Sequence, residues 1–143
     1  MIWQIASISA LVAVCGYALI FGGTIERIGA VLMIAALALT SLALYLFGTF
    51  YQSADIAIIL IDAALLVGLV ALALFSDRSW PLWASGFHLV GTVTHMAILG
   101  NAVIAPIAYA HTLGLWYYLT LLSLLIGTIN YHHAIRATNR GKP

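Results

Sequence analysis

Long apolar stretches cut by short polar breaks are the dominant pattern of the chain. The first covers residues 2–22 and closes on Gly22-Gly23-Thr24-Ile25-Glu26-Arg27, where paired glycines and adjacent charges predict a tight polar turn. A second covers 28–49 and ends at the aromatic and polar group Phe50-Tyr51-Gln52-Ser53; a third covers 54–75. Ser76-Asp77-Arg78-Ser79-Trp80-Pro81 is the sharpest break. Pro81 suits the first turn of a helix, where no N–H is needed, and Ser79 or Asp77 suits its N-cap. A fourth stretch covers 81–99 and a fifth 113–132, followed by a short basic tail, 133–143. Between the last two, Gly100-Asn101, Pro106 and His111-Thr112 mark an irregular connection over 100–112. There 102–110 reads as a short interfacial or re-entrant helix, or Pro106 as a kink in a longer fourth stretch. At a rise of about 1.5 Å per residue, roughly 20 residues match the hydrocarbon core of a bilayer. The pattern therefore predicts an all-α polytopic transmembrane bundle with five spans and a single domain.

Composition removes the soluble alternative. Of 143 residues 64% are hydrophobic and 6% charged, whereas soluble domains carry about 25% charged residues. The N-terminus has no basic segment before its apolar run and no small-residue cleavage pattern, so the first stretch reads as a retained span and not a signal peptide. The one cysteine, Cys15, excludes an intrachain disulfide and paired-thiol redox chemistry; it reads as a packing residue.

Charge sets the expected orientation. With five spans and the N-terminus outside, the turns at Arg27 and Arg78 and the tail with Arg136, Arg140 and Lys142 all fall on one side. That side is the cytoplasm by the bias of Lys and Arg toward inner loops. Trp80, Trp83 and Trp116, with Trp3 and Tyr51, fall near span ends, where amphipathic rings favour the membrane interface. His132 and His133 follow each other on a helix about 100° apart and do not converge on a metal. With Arg136 and Arg140 they read as an interfacial group meeting lipid headgroups.

Candidate chemistry gathers on the third and fourth spans. Asp62 is an ionisable residue inside an apolar span, an arrangement that costs several kcal/mol unless it is protonated, paired or hydrated. His88 and His95 lie two turns apart on one helix face that also carries Ala84, Ser85, Gly91 and Thr92, a stripe that belongs toward protein. Counted from the shared turn, Asp62 and His95 both stand roughly 21 Å deep, so the two are expected to meet as a buried pair. The stripe admits three readings: polar groups that lock helix register, a proton-relay or small-ligand site on Asp62, His88, His95, Ser85 and Thr92, or haem ligation. Haem fits least, since His88 and His95 share one helix at different depths.

No HExxH, glycine-rich phosphate loop, GxSxG elbow or carboxylate cluster is present, so hydrolysis and nucleotide chemistry lack their machinery. A net charge of +1 with a short basic tail disfavours nucleic-acid binding. Neither an internal repeat nor a second soluble domain is visible. The run Ser76-Asp77-Arg78-Ser79-Trp80-Pro81-Leu82-Trp83 followed by Phe87-His88-Leu89 resembles a segment of small polytopic membrane proteins of alphaproteobacteria. The resemblance implies a bacterial inner-membrane location and attaches no activity. The expectation is thus a non-enzymatic membrane protein acting by association, either as an accessory subunit or as a homo-oligomer, with the lipid bilayer and other membrane subunits or itself as partners.

Overall fold

Leucine and alanine, both strong helix formers, fill the chain between breaks made of glycine, proline and serine. The result, in a computed structural model that describes residues 2–47, 51–99 and 106–140, is all-helical. The side chains of 2–4, 51–55, 95, 97–99, 106–113 and 140 stand outside that description. Five helices follow in order: α1 (Ile2–Phe21), α2 (Thr24–Phe47), α3 (Tyr51–Phe75), α4 (Trp80–Leu99) and α5 (Pro106–Arg140); no strand occurs among the described residues. Two of them, α2 and the Ile56–Phe75 part of α3, are long and apolar enough to cross a membrane.

The helix ends differ from the sequence expectation mainly in α5. Where the pattern put an irregular connection over 100–112, a 113–132 span and a short basic tail, one helix of 35 residues runs from Pro106 to Arg140. Proline at its first position replaces the expected kink, because the missing N–H has no partner there anyway. At about 1.5 Å per residue the rod is roughly 52 Å long, well beyond a bilayer core of about 30 Å. Residues 100–105, which carry the rest of the expected connection, lie outside the described residues.

Between α1 and α2 no residue is spare. The Gly22 N–H donates to the Ala18 carbonyl at 2.9 Å as one helix closes, and the Arg27 N–H donates to the Gly23 carbonyl at 3.0 Å as the next opens. A Cβ on Gly22 would overlap the Ala18 carbonyl and stand 2.7 Å from Glu26 Cβ. Glycine is required there by proximity.

Each helix packs on the next, and α5 closes the ring against α1 while also touching α2. Ser7 meets Tyr118 and Phe21 meets His132, equal steps along both helices, so α1 and α5 run parallel. By contrast Trp80 packs on Gly127 and Gly91 on Trp116, so α4 and α5 run antiparallel. Every helix contributes to the core: Leu11, Cys15 and Ala18 from α1, Ala30 and Met33 from α2, Leu69 from α3, Trp80 and Ala84 from α4, Leu121 and Leu124 from α5. Small side chains let the backbones approach. Hydroxyls inside the bundle turn onto their own helices: Thr120, Ser123 and Thr128 each donate to the carbonyl four residues earlier, at 2.9 Å.

This topology brings Arg27, Arg78 and Arg136 to one end of the bundle. Arg27 opens α2, Arg78 lies between α3 and α4 with its guanidinium 4.9 Å from the Tyr131 ring centre, and Arg136 follows Tyr131 on α5. Large apolar side chains such as Val12, Leu39, Leu60, Val67 and Leu74 face outward along the rods.

Candidate functional site

At the arginine-bearing end the three joined segments enclose Glu26, a carboxyl group with 0% exposure. It occupies the third position of α2, from which a Glu side chain reaches back to the residue that opens the helix. The Gly23 N–H accordingly donates to Oε2 at 3.0 Å. From α4 the indole Nε1 of Trp80 donates to Oε1 at 3.2 Å, and Arg78 Nε approaches the same oxygen at 3.8 Å. Both oxygens thus face N–H donors, and the positive end of the α2 dipole adds to the field. A buried carboxyl without such partners costs several kcal/mol, so the cluster holds the α1–α2 and α3–α4 turns in one arrangement only when it is complete.

Trp80 is the centre of this lock. Its ring lies between two backbones, Gly29 of α2 and Gly127 of α5, and a Cβ at either position would overlap the indole. Gly23 performs the same service for Tyr131, whose Cζ would lie 2.7 Å from a Cβ there. Trp80, expected as an interfacial ring, is therefore only 4% exposed. The hydrogen bond to Glu26 explains why: indole needs an acceptor, and the acceptor is inside.

Farther along the bundle, the His88 ring reaches across from α4 to α3. Its Nε2 stands 3.1 Å from the backbone oxygen of Asp62. A carbonyl only accepts, so Nε2 is the donor and carries the proton. The nitrogen that a haem iron would use is occupied in this arrangement. The depth count set Asp62 opposite His95, whose side chain lies outside the described residues; the described contact joins Asp62 to His88. On the same face Ala84, Ser85 and Thr92 are buried. Ser85 donates to the Leu82 carbonyl at 2.9 Å and Thr92 to the His88 carbonyl at 3.0 Å, so both hydroxyl protons are committed to α4 itself. Among the described residues no group of three His, Cys, Asp or Glu side chains is placed to hold a metal ion.

The remaining aromatic residues form a ladder on the seam of α4 and α5. Trp83 and Phe87 lie 6.4 Å apart and 30° from parallel, Phe87 and Trp116 likewise 6.4 Å and 25°. Trp116 is level with Phe87 and Gly91, near the middle of α4 and not at a helix end. Among the described residues its Nε1 is buried without a hydrogen-bond partner. At the other end His132 meets the edge of Phe21 at 5.2 Å, while His133 and Arg136 are exposed. Arg140 ends α5 with its side chain outside the described residues.

Fold and site together define an all-helical five-rod ring in which a buried carboxyl and indole meet a partly exposed guanidinium at one end. Comparison with protein families, curated proteins and solved structures finds no significant match for the chain.

Proposed function

We propose that the chain is a multi-pass protein of a bacterial inner membrane, crossing it five times with the N-terminus outside and the C-terminus in the cytoplasm. Its work is association and not catalysis, as an accessory subunit of a larger membrane complex or as a homo-oligomer. One observation carries the reading: the two helices long and apolar enough to cross a membrane are hardly covered. Only 17% of the apolar stretch of α2 and 6% of that of α3 is buried. Core helices of a soluble protein bury such surface, so the medium around these rods is hydrocarbon or another apolar helix.

Gathering of Arg27, Arg78 and Arg136 at one end supports the orientation. On α3 the outward residues Leu60, Val67 and Leu74 repeat every seventh position and leave a straight apolar stripe for a neighbouring helix. Three readouts test the proposal. Carbonate-washed membranes should retain the protein, a C-terminal phosphatase fusion should be inactive while a fluorescent-protein fusion glows, and native mass spectrometry in mild detergent should give an oligomer or a complex. Extraction by carbonate or an active phosphatase overturns the topology; a monomer with nothing bound overturns the associative role.

A further inference from the structure

Two adjoining cavities open at the surface along the seam of α4 and α5. The first, about 480 Å³, is walled by Trp83, Phe87, Leu119 and Ile126 and ends at a polar rim containing Asp77 and Arg78. The second, about 390 Å³, shares Trp83 and Phe87 and continues to Val90 and Trp116. We propose that this groove holds an acyl chain of a phosphoethanolamine lipid, with the lipid phosphate on Arg78 and its ammonium on Asp77. The inference rests on the membrane reading above.

Arg78 is the anchor. Its Nε faces Glu26, its side chain is 40% exposed, and among the described residues no hydrogen bond engages its two terminal nitrogens. Those nitrogens form a planar fork that matches phosphate oxygens. Charge then selects the headgroup. Of the residues that line the groove, Asp77 and Arg78 are the charged pair, one of each sign. An anionic headgroup has a phosphate for Arg78 and no ammonium for Asp77. Phosphoethanolamine carries phosphate and primary ammonium joined by an ethylene link, which suits an Arg and an Asp that are neighbours in the chain. A choline headgroup has the charge but no N–H to donate to Asp77.

Beneath the rim the walls are apolar for a useful length. From Trp80 to Val90 the groove follows α4 for about 15 Å, enough for most of an acyl chain. Phe87 stacks with Trp83 on one side and Trp116 on the other, so the three rings form one continuous wall.

The probe is phosphatidylethanolamine with brominated acyl chains, added as a minor component to phosphatidylcholine nanodiscs that contain the whole protein. Bromine quenches tryptophan fluorescence on contact, and Trp83 and Trp116 line the groove. Quenching should exceed the mole fraction roughly threefold, the preference one interfacial charge pair supplies, and should exceed that by brominated phosphatidylglycerol or phosphatidylcholine. Asp77 is exposed, so Asp77→Asn leaves the bundle intact and should reduce phosphatidylethanolamine to the phosphatidylcholine level. Quenching proportional to mole fraction for every headgroup, as an unselective lipid shell or a covering protein chain would give, overturns the inference while leaving the membrane reading intact. Preference for phosphatidylglycerol does the same. Failure to enter nanodiscs at all overturns the membrane reading itself.

Discussion

Glu26 looks in the sequence like one half of a solvated charge pair with Arg27, yet it is the most completely buried charged side chain described. What places it inside is the spacing from Gly23, which makes its carboxyl the natural acceptor for the helix-opening N–H. What completes it is Trp80 and Arg78, 54 and 52 residues along the chain. Removing the acceptor leaves an indole N–H, a backbone N–H and a guanidinium to be satisfied elsewhere. Glu26→Ala should therefore cost about 3–5 kcal/mol, as breaking a buried ion pair does. Glu26→Gln keeps one acceptor oxygen and sets an amide N–H against a donor, for about 1–3 kcal/mol. Thermal unfolding in detergent, followed by size-exclusion of the surviving fraction, ranks the two; equal midpoints for Ala, Gln and the parent chain would refute the lock. The residue was within reach of sequence reasoning, since the expected topology already put Glu26 and Arg78 in two turns on one side. Trp80 was not, because nothing local distinguishes an indole facing headgroups from one inserted between distant glycines.

At the scale of elements, helix existence follows from apolar length and from glycine or proline at the breaks, and four of the five rods end within a few residues of where the pattern put them. The exception is instructive. Pro106 and His111-Thr112 look like interruptions, but a proline that opens a helix interrupts nothing, and α5 runs on as one rod. Register between rods is a different matter. Counting depth from the α3–α4 turn treats both helices as straight and level, and the contact the count does not foresee is that of the His88 ring with the Asp62 carbonyl. For α4 and α5 the register has a direct test. A Cβ on Gly91 would stand 3.6 Å from the Cβ of Trp116, within the range of about 3.5–4.5 Å that a disulfide spans. In a Cys15→Ala background, Gly91→Cys with Trp116→Cys should crosslink on mild oxidation and shift mobility on a non-reducing gel. Crosslinking instead of Gly91→Cys with Leu115→Cys, whose side chain faces outward, would mean that α5 is rotated.

Across the whole molecule the ring is closed by the parallel contact of its first and last helices, through Ser7 with Tyr117 and Tyr118 at one level and Phe21 with His132 at another. Helices that are individually stable in a bilayer associate afterward by packing, so covalent continuity is not required. Fragments 1–49 and 50–143, expressed together, should copurify, because α1 rests on α5, α2 on α3, and Glu26 on Trp80. Glu26→Ala in the shorter fragment should weaken the pair. Separate accumulation of both fragments in the membrane without copurification would argue against the closed ring. Apolar length, breakers and charge are local or additive properties, and they were enough to place the helices, to count them and to gather the cations at one end. Packing between distant segments put Glu26 inside, Trp80 between Gly29 and Gly127, and Trp83, Phe87 and Trp116 along one seam. Those facts depend on how each rod is rotated and where it slides, and rotation among apolar helices is set by the fit of side chains from distant segments, which no single stretch encodes.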